Sequence, residues 1–316
     1  KNIKMKISRN INSEIDQFQK GSSVCIGVFD GIHLGHQELI RKTIGHAKEN
    51  DLSTVLFTFE PTPNEYFSKG EPQPRLTSID EKYQYLSNKN IDLLYCPPFN
   101  KEMENLSPIQ FVEEHLIANL NAKYVIVGMD FHFAKDRSGS VDTLIELGLK
   151  YGFEVDPIQF ITQKDKKISS TIIRQLLVKQ DIETANQMLG RNYSVLGKVI
   201  KGKQIGRTIG FPTANIDINT RDVLLRGVFC VKAIIGSSDK EFNGVANIGF
   251  KPTVDGNALT LEVHLLNFNE DIYDSNLQIE FMHRIRGEEK FNDLDELTDQ
   301  INQDVKKADE YFIKNQ

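Results

Sequence analysis

Two imidazoles set three residues apart carry the first chemistry in the chain. In "GVFDGIHLGHQELI", His33 and His36 stand as H-x-G-H among Gly27, Gly31 and Gly35, where an apolar strand ending at Phe29 gives way to a helix from about Leu34. Glycine lets the backbone approach a ligand or a neighbouring element closely, and free N–H groups at a helix start attract anions. Residues three apart share a face of the first turn. Both rings could then donate to the charge that develops on a phosphate during transfer, with no covalent step. The same residues also fit a glycine-rich turn in which one histidine caps the helix and the other packs in the core. The pattern is neither the dinucleotide G-x-G-x-x-G nor a P-loop, which requires G-K-[ST].

Three further stretches add oxygen and nitrogen donors. "KKISSTIIRQLL" puts Ser169, Ser170 and Thr171 at a helix start with Arg174 one turn beyond Ser170, either a second phosphate cradle or an N-cap with a solvated arginine. In "GRTIGFPTANI", Gly206 and Gly210 permit close approach and Pro212 stiffens the run, so Thr213 and Asn215 project to one side of an extended chain. Magnesium prefers such hard oxygen ligands, although a P-T-x-N turn bonding its own backbone fits as well. In "LTLEVHLLNF", Leu261, Val263 and Leu265 alternate with Thr260, Glu262 and His264. Glu262 is then a general base for a hydroxyl nucleophile, or a solvated carboxylate on an open sheet.

The elements that must position these residues fall into two styles. From residue 22 to about 186, β-branched runs ("SVCIGVF", "STVLFTF", "IDLLYCP", "KYVIVG") alternate with amphipathic segments, including "SPIQFVEEHLIANL", which predicts β-α-β units around a parallel sheet. After "LGRNYSVLGKVI" the runs become short and glycine-punctuated, which predicts a small antiparallel barrel or sandwich. From Asp293, Leu294, Leu297, Ile301, Val305, Ala308 and Phe312 recur at helical steps and predict a long closing helix. The expected fold is thus α/β, a doubly wound parallel-sheet domain over 1–186 followed by a small β-barrel domain with a terminal helix over 187–316.

A length of 316 residues gives room for both domains, and 39% hydrophobic with 26% charged residues is ordinary for a globular chain. The net charge of −6 offers no basic face for nucleic acid. With no leader pattern and no apolar run of about 18 residues, the expectation is a cytoplasmic protein without membrane partners. Cys25, Cys96 and Cys230 are isolated and read as reduced packing residues.

Taken together, G-x-F-D-G-x-H-x-G-H, "FTFEPTP", "VGMDFHFAKDRSG" and I-S-S-T-x-I-R resemble the adenylyltransferase module of the bacterial bifunctional riboflavin kinase and FAD synthetase family. G-R-x-x-G-F-P-T-A-N, "GVFCV", "GVANIGFKPT", E-V-H-L-L and "IRGEEKF" are similar to the same family's kinase module, in the same order. The resemblance departs at Thr62, His132, Ala134, Phe229 and Lys251, where the family favours histidine, arginine, glycine, tyrosine and arginine.

That resemblance implies a two-step ATP-dependent transferase: riboflavin to FMN in the C-terminal domain, then FMN to FAD and pyrophosphate in the N-terminal domain, both with Mg²⁺. For adenylyl transfer it implies ATP contacts from Gly27, Phe29, Asp30, Gly31, His33, Gly35, His36, Ser170, Thr171 and Arg174, with His33, His36 and Arg174 acting on the phosphates. Asp130 and Arg286 fall near the flavin, and Asn64 near the flavin or the adenine. For the kinase it implies Gly206, Gly210, Pro212, Thr213, Asn215, Asn247 and Gly249 around ATP, Thr213 and Asn215 as metal ligands, and Glu262 as base. The expected partners are small molecules, on a monomer or weak homo-oligomer. P-T-A-N and Glu262 in the second domain argue against a different H-x-G-H nucleotidyltransferase, and a silent flavin-binding regulator should have lost His33, His36, Thr213, Asn215 or Glu262, all five of which are present.

Overall fold

A computed structural model describes residues 5–10, 18–68, 70, 72–163, 166–202, 206, 209–218, 222–236, 240–253 and 256–315. Arg207 and Thr208 of the G-R-T-I-G-F-P-T-A-N run, and the side chain of Lys251, lie outside the described residues. The chain forms two compact units, one running to Ser169 and the other starting at Ser170.

The first unit is built on six parallel strands: β1 (Lys6–Ser8), β2 (Ser22–Ile26), β3 (Ser53–Phe57), β4 (Leu93–Tyr95), β5 (Ala122–Gly128) and β6 (Glu154–Ile158), in the order β1-β4-β3-β2-β5-β6. Side-chain alternation divides each strand between two cores. Val24, Ile26, Val55, Phe57, Val125 and Val127 face one core, whereas Cys25, Leu56, Leu94 and Ile126 face the other. The helices of this unit are α1 (Leu34–Glu49), α2 (Pro63–Phe67), α3 (Ile79–Leu86), α4 (Lys101–Asn105), α5 (Pro108–Phe111) and α6 (Val141–Tyr151). Leu39 and Ile40 of α1 and Leu86 of α3 cover the second face, and Phe111 of α5 with Leu144 and Leu147 of α6 the first. A short antiparallel pair, β7 (Thr162–Gln163) and β8 (Lys166–Lys167), follows β6.

Strand β2 lies between β3 and β5, so the chain leaves it in opposite directions on its two sides. In open α/β sheets that switch point, at the carboxyl ends of the strands, is where ligands bind. The H-x-G-H loop begins there.

Two local expectations differ from the structure. The apolar run stops being strand at Ile26, not Phe29, because Phe29 takes φ 51° and turns its ring fully into the core. The stretch "SPIQFVEEHLIANL" is not one amphipathic α-helix: α5 gives way to a π-helix over Val112–Asn119. That winding places His115 against Tyr95, whose hydroxyl is 2.9 Å from its Nδ1.

The second unit opens with α7 (Ser170–Val178) and α8 (Ile182–Leu189). Six antiparallel strands follow: β9 (Tyr193–Ile200), β10 (Ala214–Ile216), β11 (Gly227–Ile235), β12 (Glu241–Thr253), β13 (Gly256–Leu265) and β14 (Asn276–Arg286). They close into a barrel in the order β10-β13-β12-β11-β14-β9, the β9–β10 pairing shutting the ring. The last helix, α9 (Leu294–Lys314), is capped by Asp293 and buries Ala308 and Phe312 against Val228, Cys230 and Val245. Its first apolar position misses the core: Leu294 is 57% exposed.

Candidate active sites

The H-x-G-H loop is held by its own side chains. His33 is the N-cap of α1, and its Nδ1 accepts the His36 amide at 3.3 Å. The two imidazoles stack with centroids 3.7 Å apart, and Phe29 meets His36 edge-on at 5.4 Å. A Cβ on Gly35 would lie 3.1 Å from the His33 ring, so the glycine between the histidines is what lets that ring lie down. One histidine thus caps the helix and the other packs in the core.

Burial pushes His33 down to about 4, against a smaller upward pull from Asp30. His36 goes well below its ordinary value through burial, with His33 and Lys82 acting in the same direction. Both rings are neutral at pH 7. Since the Nδ1 of His33 accepts, its proton sits on Nε2, a donor available to an anion. His36 Nδ1 is buried without a hydrogen-bond partner.

The rest of the loop is pinned from β3 and from the segment leading into α3. Asp30 is buried, and its Oδ1 accepts the amides of Leu76 at 2.8 Å and Thr77 at 3.0 Å. Gly31, at φ 84°, donates its amide to Thr77 Oγ1 at 3.0 Å. Gly27 donates to the Phe57 carbonyl at 3.0 Å. Of the remaining candidates in this unit, Asn64 is exposed on α2 and accepts the Gln73 amide at 3.2 Å. Asp130 is exposed and pairs with Lys167 at 3.1 Å. Ser170, Thr171 and Arg174 open α7, in the second unit.

The departures from the resemblance also have structural roles. Thr62 is the buried N-cap of α2, closing a capping box with Glu65. His132 lies 2.9 Å from the Asp130 carbonyl through Nδ1. Ala134 sits at φ 65°, a conformation that glycine adopts without strain. Phe229 is fully buried and packs edge-on against Phe281.

In the barrel, register assembles the second site. Asn215 on β10 pairs with Glu262 on β13, and Glu262 pairs with Asn247 on β12. Directly paired residues point to the same face, so the carboxylate is flanked by two carboxamides, opposite the buried Leu261, Val263 and Leu265. The preceding turn is fastened to the same strand, with the Pro212 carbonyl 2.8 Å from His264 Nδ1 and Phe211 against the His264 ring. Gly210 has φ 87°, and the Phe211 amide reaches the Gly206 carbonyl at 2.7 Å. A Cβ on Gly206 would come within 3.4 Å of Thr213 Oγ1, and one on Gly202 would collide with the Asn215 amide. Gly249 accepts Thr260 Oγ1 at 3.2 Å, and the Glu288 carboxylate lies over its backbone.

Arg286 is engaged within the fold. Its guanidinium forks onto Asp304 of α9 at 2.8–3.0 Å, and Nη1 donates to the Gly287 carbonyl at 2.9 Å.

Known proteins match both halves. Residues 15–172 fit the FAD synthetase family model and residues 189–312 the riboflavin kinase family model. The bifunctional riboflavin kinase/FMN adenylyltransferase of Buchnera aphidicola subsp. Schizaphis graminum is 40% identical over 98% of this chain and 99% of its own length. That of Bacillus subtilis is 38% identical over 94% and 95%. The chain belongs to the bifunctional riboflavin kinase/FMN adenylyltransferase family. A crystal structure described as a macrolide-efflux protein from Streptococcus pneumoniae shares the fold, with TM-score 0.82 and 29% identity over 96% of this chain and 98% of that one. Among the described residues of this family member, no helix is long and apolar enough to cross a membrane.

Family membership does not account for the buried charges Lys82 and Asp304. Lys82 is 1% exposed and donates to the Val28 carbonyl of the H-x-G-H loop at 2.9 Å; Asp304 is 2% exposed. Both signals were in the sequence. Lys82 stands three residues after Ile79 and four before Leu86, and Asp304 three after Ile301 and four before Ala308, each a charge on the apolar stripe of a helix.

Proposed function

We propose that the second unit phosphorylates riboflavin with ATP to give FMN and ADP, and that the H-x-G-H site adenylylates FMN with a second ATP to give FAD and pyrophosphate. The observation that carries the reading is the row Asn215–Glu262–Asn247, a carboxylate between two amides on neighbouring barrel strands, inside a riboflavin kinase match. A primary hydroxyl is not ionised at pH 7, so its attack on the γ-phosphate gains from a base, and Glu262 takes the proton. Thr213 and Asn215 are the residues that would offer oxygen donors to Mg²⁺, and Gly206, Gly210, Pro212, Asn247 and Gly249 are those that would line the nucleotide. These donors fit Mg²⁺, a hard cation that keeps substrate oxygens. Among the described residues no group of three or more His, Cys, Asp or Glu could hold a metal by itself. The metal neutralises phosphate charge when bound.

At the first site the nucleophile is the FMN phosphate, whose second pKa is about 6, so it arrives as an anion and needs no base. One of its oxygens bonds to the α-phosphorus of ATP as the bond to the bridging oxygen of pyrophosphate breaks. His33 donates from Nε2 to the phosphoryl oxygens, and His36 holds the helix start in line. We assign Ser170, Thr171 and Arg174 to nucleotide phosphates, Asp130 to the flavin, Asn64 to the flavin or adenine, and Arg286 to positioning the segment that covers the flavin of the kinase.

We put the functional boundary between 186 and 187, inside α8; the interval between the two family matches is compatible with it. A cytoplasmic location suits three buried free cysteines, two of which, Cys25 and Cys230, burial pushes up to about 12; a monomer or weak homo-oligomer is proposed with it. The test is incubation with riboflavin, ATP and Mg²⁺ followed by chromatography. FMN then FAD is the expected sequence, and no FMN would overturn it.

A further inference from the structure

We infer that Lys82 is a positioning residue for adenylyl transfer, its ammonium fixing the Val28 carbonyl and so holding the backbone that presents His33 and His36. The inference rests on the adenylyltransferase reading of the first unit.

A lysine is almost never fully buried unless it is paired, because removing the ammonium from water is costly. Lys82 is 1% exposed on the inner face of α3, and its Nζ donates to Val28 at 2.9 Å. If α3 needed only bulk at this position, leucine or methionine would fill it at lower cost. Position 28 gives the reason for a donor. Directly after Val28 the chain passes through Phe29 at φ 51°, Gly31 at φ 84° and Ile32 at φ 45° before reaching His33. Positive φ is a genuine outlier for a β-branched residue such as isoleucine, and it persists only where the surroundings over-determine it.

Several restraints on this backbone are visible among the described residues. Val28 O accepts from Lys82 and from Thr58 Oγ1 at 3.2 Å. Asp30 accepts the amides of Leu76 and Thr77, and Gly31 donates to Thr77 Oγ1. On the far side, the Ile32 carbonyl accepts Gln37 Nε2 at 2.9 Å. Among these restraints Lys82 is the one cation. Its charge is set against Asp30, Glu60 and Glu65, with Arg75 opposing, and burial lowers its pKa. It also acts on the buried His36. A single side chain thus ties α3 to the strained loop and sets a positive charge behind two neutral imidazoles that meet an anion, where little water screens it.

Lys82→Met tests this in the full chain. Removing one charge from a buried cluster destabilises the fold, so urea unfolding is measured beside activity; if Lys82→Met does not fold, Lys82→Gln keeps a donor to Val28 without the charge, and its kcat for FAD formation should still fall by about tenfold. Positioning errors of about 1 Å cost on the order of 100-fold. The expected result is a fall of about 100-fold in kcat for FAD formation, with KM for ATP and FMN within about threefold and FMN formation from riboflavin unchanged. A kcat within about twofold of wild type, or a rise in KM alone, would overturn the inference. If the wild-type chain itself makes FMN but no FAD, the reading of the first unit fails instead.

Discussion

Asn215 and Glu262 stand directly opposite one another across the β10–β13 pairing, and Asn247 occupies the matching position on the other side of Glu262. Pairing of this kind fixes direction as well as proximity, since a one-residue slip of β13 would turn Glu262 to the opposite face, away from both amides. Glu262→Gln keeps the shape and removes the basicity. FMN formation should fall by about 10²–10⁴, the range for a lost general base, while added FMN is still converted to FAD. Chromatography of both reactions decides the matter, and equal loss of both would refute the division of labour between the units.

The histidine pair allows a cleaner separation of stability from activity. Gly35→Ala replaces a helical glycine by the best helix former, worth up to about 1 kcal/mol, yet its Cβ would press on the His33 ring at 3.1 Å. The variant should melt no lower than wild type and still make FAD about tenfold more slowly, the imidazole having been pushed off its line. His36→Ala should cost about 10²–10³ in the same assay. Near-normal FAD formation by His36→Ala would mean that the ring stacked on His33 plays no part in presenting it to the phosphates.

Protonation gives a prediction for the stability of the first unit. Burial pushes both His33 and His115 down to about 4, so the unfolded chain, with ordinary values near 6.5, binds protons that the native fold refuses. Stability is therefore complete above about pH 6.5 and falls as the pH drops towards 4, by on the order of 3 kcal/mol for each histidine. Urea unfolding between pH 7.5 and 4.5 checks the slope. His115→Phe, which cannot bind the proton, should flatten it, and an unchanged slope would show that His115 is not titrating on unfolding.

Much of this was legible because period and spacing report local structure. β-branched runs gave the parallel strands, Asp293 and the apolar steps after it gave α9, and alternation around Glu262 gave its face. What could not be read was set by tertiary contacts. Nothing in "GVFDGIH" announces positive φ at Phe29 and Ile32, since neither residue favours it; the conformation is imposed by Lys82, Thr58 and Thr77 from distant positions. Likewise the flanking of Glu262 by Asn247 depends on strand register, which no local propensity encodes. Arg286 is the sharpest case: its type and motif suggested a ligand contact, and the partner it has, Asp304, lies on a different element.

That pair supports the last prediction. Arg286 and Asp304 have side chains 14% and 3% exposed, and the carboxylate accepts from Nε, from Nη2 and from Gln300 Nε2. Breaking a buried ion pair from one side leaves an uncompensated charge and costs about 3–5 kcal/mol, whereas replacing both partners by apolar groups costs far less. Asp304→Leu should therefore destabilise the barrel unit strongly, and Arg286→Met with Asp304→Leu should recover most of the loss in urea unfolding. FMN formation separates structure from function. If the double variant regains stability but its KM for riboflavin stays at least tenfold high, the guanidinium positions the flavin-covering segment as well as pairing with α9. If stability and KM recover together, Arg286 is structural and its flavin assignment falls.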